Sequence, residues 1–415
     1  MAKQSIHKRE FDNGLVLLAE SMEWLESAAF ALLLPAGFTR DPVDQLGVAN
    51  FACEMLQRGC ADMSNRQFSD ALENNGIDRS SSVSTTHASY GAAMPAEKLP
   101  DALSLFADMV RRPHLPEDQL EEGRMVCFHE IRGMEDDLAQ KVMLDLRRRH
   151  YSDPYGRSAQ GTMESVQAIT NDQIRSFHES FYHPQGAILS VAGNIDFAEL
   201  EDNIERLFGD WQASPLADIA ETAPDRAYHH IEHDSSQTHI GIGYPSVWYS
   251  HPDYYQARGA VGVLSDGMSS RLFTEVREKR GLCYSVYASC HSLRDRGSVL
   301  CYAGTTTEQA QETVDVMLAE LNRLAEGIEP DELLRLKAKI KSSLIMQQES
   351  SAARSGSMAA DWYFLGRIQT LDEIGATIDA LSCDSINNYL SKHPPKDFNV
   401  VTLGAKQLEM PSGVL

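Results

Sequence analysis

Hydrophobic positions along this 415-residue chain follow a helical pattern that occurs twice. Leu99, Leu103, Phe106, Met109 and Val110 keep the spacing of one helical face, and Leu115-Pro116-Glu117-Asp118-Gln119-Leu120 follows them. Val314, Met317, Leu321 and Leu324 repeat that face, and Ile328-Glu329-Pro330-Asp331-Glu332-Leu333-Leu334 follows in turn. The two prolines stand 330 − 116 = 214 residues apart. Thr162-Met163-Glu164-Ser165-Val166 is answered by Thr370-Leu371-Asp372-Glu373-Ile374, at 370 − 162 = 208. Each of these precedes a helix and a short apolar run ending in glycine, Ile188 to Gly193 and Asn399 to Gly404. Solenoid repeats are far shorter, so two copies at this spacing predict a duplicated domain.

Within each copy the order is strand, strand, helix, strand, helix pair, strand. The first opens on Lys8 to Ala19, a hairpin turning at Asn13-Gly14, and continues through the strand Ala29 to Leu34. The second contains strands His239 to Tyr244 and Ser298 to Ala303. Mostly sequential strands with helices grouped apart predict an α+β fold of two homologous halves, each an antiparallel-rich sheet with helices packed on one face. The segment 212–226 holds Pro215 and Pro224 with little periodicity, and it is expected to link an N-terminal half, 1–211, to a C-terminal half, 227–415.

A formal net charge of −23 excludes nucleic acid as a partner, since phosphates would be repelled nearly everywhere. Basic peptides would suit it. The longest apolar stretch, Ala28 to Leu34, falls far short of the roughly 20 residues that span a bilayer. Seven cysteines without a Cys-x-x-Cys argue for a reducing compartment, and the N-terminus shows no apolar signal core, so no membrane association and a cytoplasmic location are expected. His229, His230 and His233 read as an exposed surface cluster, and Arg147-Arg148-Arg149 with His150 as a solvated basic helix end.

Candidate chemistry lies in two stretches. Gly47-Val48-Ala49 leads into Asn50-Phe51-Ala52-Cys53-Glu54, and Met55-Leu56-Gln57-Arg58-Gly59 closes the run. Further on, Gly267-Met268-Ser269-Ser270-Arg271-Leu272-Phe273 continues through Arg277 and Arg280 to Gly281-Leu282-Cys283-Tyr284-Ser285-Val286. Both stretches, with Asp153-Pro154-Tyr155-Gly156-Arg157 and Phe181-Tyr182-His183-Pro184, resemble the inverted zincins, the family of pitrilysin, insulysin and the mitochondrial processing peptidase. The resemblance covers nearly the whole chain. It implies a clam-like chamber made by the two halves. It also implies that Asn50 and Glu54 stand where the family carries the two zinc-binding histidines of His-x-x-Glu-His, that Cys53 stands at the general-base position, and that Glu130 is the remnant of the third ligand.

Catalytic zinc needs three protein ligands, an open position and a nearby carboxylate, and an asparagine amide is a poor donor beside imidazole. No metal is therefore expected on this chain. The resemblance assigns the family's arginine and tyrosine, which hold substrate backbone and stabilise the oxyanion, to Arg277 and Tyr284, with Arg280 a competitor for the arginine. A plainer reading remains, a solvated basic helix end followed by a half-buried strand tyrosine. The function implied is the non-zinc-binding subunit of a heterodimeric zinc peptidase acting on unfolded peptides. It would be inactive alone, with zinc brought by a homologous partner carrying intact His-x-x-Glu-His. The alternative is a catalytically inactive peptidase-like scaffold or peptide-binding protein, homodimeric or like a respiratory core subunit.

Overall fold

The computed structural model describes residues 4–224, 226–347 and 349–411. The first sheet contains β1 (Ser5–Glu10), β2 (Val16–Ser21) and β3 (Ser27–Leu34). A short hairpin, β4 (Gly59–Cys60) and β5 (Met63–Ser64), stands apart from it. The first sheet is completed by β6 (Asp78–Val83), β7 (Ala88–Pro95) and β8 (Ile188–Gly193), in the order β1-β2-β8-β3-β7-β6. The second contains β9 (Tyr228–Glu232), β10 (Gln237–Ser246), β11 (Cys283–Ser292), β12 (Gly297–Thr306) and β13 (Asn399–Gly404), in the order β11-β12-β10-β13-β9.

Read from opposite ends, the two orders match strand for strand once β1 is set aside. Pairing is antiparallel except at β2–β8 and β13–β9, which occupy equivalent places. The fold is α+β with two homologous sheet-containing halves, as the repeat predicted.

Every residue of β8 and of β13 is buried. A strand covered on both faces carries a continuous apolar run rather than alternation, which explains Ile-Leu-Ser-Val-Ala-Gly and Asn-Val-Val-Thr-Leu-Gly. Their terminal glycines are steric requirements. A Cβ on Gly193, at φ 141°, would lie 2.4 Å from the Ser27 carbonyl oxygen, and one on Gly404 would lie 2.6 Å from Thr238 Oγ1.

The cover on the second face comes from helices that cross between the contiguous halves. Helix Ser351–Leu365 packs on β8 and β3, and helix Leu138–His150 packs on β10 and β13. One compact unit accordingly gathers the described residues of Met1–Gly133, Arg157–Ala220 and Met346–Ile368, and the other those of Met134–Gly156, Glu221–Ile345 and Gln369–Leu415. Ser355, Met358 and Ala359 of helix Ser351–Leu365 are buried in the first unit, with Met358 and Ala359 against Leu18, Ile188 and Ala192. Arg354, 1% exposed in its side chain, puts Nη2 2.6 Å from Glu20 Oε2 on β2.

Residues 212–220 have no regular structure, and Thr222 forms an isolated bridge with Asp153 in the second unit. Among the described residues, no helix is long and apolar enough to cross a membrane.

Candidate functional site

The degenerate motif lies on helix Val48–Met55. Asp41 fixes the start of this helix, accepting the Gly47 N–H at 2.7 Å and the Ala49 N–H at 3.0 Å, so a carboxylate faces the positive helix end. Gly47 sits at φ 90°, and a Cβ there would lie 2.6 Å from the Gln160 carbonyl oxygen. Burial pushes the Asp41 carboxyl up to about 7, against the pull of the two amides and Arg157. Sequence reasoning passed over Asp41, whose signal is an acidic residue shortly before a Gly-led helix.

Glu130 projects from helix Leu120–Asp136. The structure brings Asn50, Glu54 and Glu130 together, but as a hydrogen-bonded set rather than a ligand set. The Asn50 amide donates to Glu130 Oε2 at 2.7 Å. Glu54 accepts from Arg58 Nη2 at 2.8 Å, an i,i+4 pair legible in the sequence once the helix is placed. Burial raises the Glu54 carboxyl, Arg58 opposes this, and Glu130 raises it further. Cys53 turns inward, 4% exposed, toward the Tyr90 and Ser81 side chains, and burial pushes its thiol up to about 11. Burial likewise holds the neighbouring Cys127 thiol up at about 12.

These residues do not fit zinc. The metal needs deprotonated thiolates, neutral imidazoles or free carboxylate oxygens. Here the amide turns a donor toward Glu130, a guanidinium engages Glu54, and the thiols are held protonated. Among the described residues no group of three His, Cys, Asp or Glu side chains is placed to hold a metal ion. Asn50→His, Cys53→Glu and Glu54→His together are expected to bring back zinc binding more readily than turnover. Spacing i,i+4 sets ligand geometry, whereas catalysis also needs oriented supporting groups. Metal content and circular dichroism check this. A folded triple variant that binds no zinc would show that the helix presents other positions.

Arg277 and Tyr284 lie in the second unit. Arg277 falls in a π-helical turn, Phe273–Glu278, of the kind frequent at functional sites. Its guanidinium stands 4.7 Å from the ring centroids of both Phe273 and Tyr284, and Nη1 donates to the Tyr284 carbonyl at 2.8 Å. Tyr284 occupies a register shift between β11 and β12, where the bulge turns its side chain out of the ladder. It is 83% exposed, not half-buried as the plainer reading had it, and among the described residues its hydroxyl has no hydrogen-bond partner. Arg280 is occupied by Glu275, with Nη1 2.8 Å from Oε2.

The histidines differ from expectation. His229, His230 and His233 are half-buried along and just after β9, and His230 pairs with the Thr402 hydroxyl at 2.9 Å. A strand in parallel register with β13 holds one face against the sheet, which a run of histidines does not reveal.

Two family models match the chain, "Insulinase (Peptidase family M16)" over residues 16–162 and "Peptidase M16 inactive domain" over 168–340. An uncharacterized zinc protease of Bacillus subtilis is 28% identical over 385 residues, covering 90% of this chain and 92% of its own. Another from Rickettsia felis is 24% identical, covering 94% and 95%. Among solved structures, a peptidase M16 inactive domain from Pseudomonas fluorescens superposes with a TM-score of 0.90 at 23% identity, covering 98% of this chain and 99% of that one. A protease from Helicobacter pylori gives 0.87 at 20% identity, covering 97% and 100%. Models matched in sequence along both halves, and this fold from end to end, establish that the chain belongs to the M16 peptidase family, with the zinc motif of that family replaced.

Proposed function

We propose that this chain is the Arg/Tyr-supplying, non-zinc-binding subunit of a heterodimeric peptidase whose sister chain carries His-x-x-Glu-His and the zinc. The observation that carries this reading is the contrast between the two stretches. Asn50 and Glu130 at the zinc-motif positions pair with each other and Glu54 pairs with Arg58, whereas Tyr284 presents a hydroxyl without a partner among the described residues, its backbone clamped by Arg277. A phenol so placed donates to a developing oxyanion, and the remaining guanidinium N–H groups of Arg277 grip a peptide carbonyl. Unfolded peptide is held by adding a strand at a sheet edge, and the edge strands are β1 and β6 in the first sheet and β11 and β9 in the second.

A second reading, a peptidase-derived scaffold or peptide-binding protein without catalysis, is favoured by the filled motif positions alone. Co-purification from the native host, followed by peptidase and zinc assays, separates them. The heterodimer predicts a similar chain with intact His-x-x-Glu-His and zinc-dependent activity in the complex. Recovery of this chain alone or with unrelated proteins, without activity, favours the scaffold.

A further inference from the structure

Helix Leu138–His150 covers only part of its sheet face. It packs on β10 and β13 and scarcely on β12. The β11 margin of that same face is left open, with Ser285, Tyr287 and Ser289 exposed in succession. Over this margin lies Arg147, from the last turn of the helix. Sequence reading made it part of a solvated basic end, but Arg147 is half-buried, while Arg149 is paired with Asp145 at 2.8 Å.

Among the described residues the Arg147 guanidinium meets no carboxylate and makes no hydrogen bond. The charged and aromatic groups it faces are Tyr151, Tyr287 and His291. Tyr287 lies 5.3 Å from Tyr302, and the Tyr151 hydroxyl lies 2.6 Å from His291 Nδ1. Beside them, the 1%-exposed His150 leaves Nδ1 without a partner.

Burying an uncompensated cation is costly, and burial indeed pulls the Arg147 guanidinium below its ordinary range. The fold itself does not demand the charge. The helices' N-caps, Asp137 and Ser350, are 350 − 137 = 213 residues apart, which makes Ala360 the counterpart of Arg147 in the first unit. A cation kept where the duplicate helix has alanine, in a chain of net charge −23, calls for an anion from outside.

We propose that Arg147 is the anion anchor of a peptide groove along β11, taking a carboxylate of the bound peptide with Tyr287 as the flanking wall. This rests on the reading that the chain handles unfolded peptide, but not on catalysis by Arg277 and Tyr284. A guanidinium fork matches a carboxylate in two parallel hydrogen bonds. Tyr287 is three residues past Tyr284, about 10 Å along an extended strand, so the anchored group lies within a short peptide's reach of the exposed phenol.

The test is fluorescence anisotropy with the purified full-length chain and labelled unstructured peptides in four forms. These carry an acidic side chain, a free C-terminus, both, or neither, the last being amidated and neutral. Wild type is expected to favour carboxylate-bearing peptides. Arg147→Met should weaken them about 10- to 100-fold, to the level of the neutral peptide, while Arg147→Lys loses less. Circular dichroism of each variant confirms folding. Selective loss with the amidated peptides assigns the terminal carboxylate, and selective loss with those lacking the acidic residue assigns the side chain. Equal binding of all four peptides, or unchanged affinity in folded Arg147→Met, overturns the anchor and leaves the peptidase reading standing. Failure of every peptide to bind wild type overturns both.

Discussion

Arg354→Met is expected to destabilise the first unit by about 3–5 kcal/mol, because it leaves Glu20 as a buried charge without its counter-ion. Arg354 donates through Nε at 2.8 Å and Nη2 at 2.6 Å to Glu20 Oε2, and among the described residues Glu20 Oε1 receives only the Gln4 amide, at 2.9 Å. The side chains are 1% and 3% exposed, so water cannot take over the lost contacts. The pair also ties helix Ser351–Leu365 to β2, a strand more than 300 residues away in sequence. Glu20→Leu combined with Arg354→Met should recover most of the loss, since removing both charges removes the desolvation penalty as well. Urea unfolding of wild type, single and double variants measures this. A single variant within about 1 kcal/mol of wild type, the upper range for exposed pairs, would mean that water reaches the carboxylate.

Tyr284→Phe and Arg277→Ala should each lower turnover of the reconstituted complex on the order of 10²-fold, the loss typical of one oxyanion donor. Association and zinc content should not change. The Tyr284 ring lies 4.7 Å from the Arg277 guanidinium, and at 83% exposure its hydroxyl contributes little to the fold. Arg277→Ala removes more, since it also frees the Tyr284 carbonyl, so Arg277→Lys provides a check that keeps the charge. Peptidase assays on mixed subunits decide this. Wild-type rates from both variants would reduce the pair to structural residues and move the scaffold reading ahead.

Much of the fold was legible because its cause is local. The runs Ile188 to Gly193 and Asn399 to Gly404 read as strands, and the offset of about 210 residues read as duplication, because each half repeats the same buried faces. The parallel pairings β2–β8 and β13–β9 were not legible, since strand direction leaves no trace in alternation. Nor was the crossing of helices Leu138–His150 and Ser351–Leu365. An amphipathic stripe states that a face is buried, not which sheet buries it.

At the candidate site, the gap at Asn50, Cys53 and Glu54 was visible against its frame, but what fills it was not. Asn50 to Glu130 is a contact across 80 residues, and the inward turn of Cys53 toward Tyr90 depends on packing between helix Val48–Met55 and β7. Arg147 shows the same limit, because a basic helix end looks solvated until the sheet beneath it is known.

The replaced motif is tested most directly by zinc content. The purified chain, dialysed against trace zinc, is predicted to retain well under one equivalent by elemental analysis, because Asn50 donates to Glu130 and Arg58 holds Glu54. About one zinc per chain, lost on changing Glu54 or Glu130 to Ala, would contradict the account.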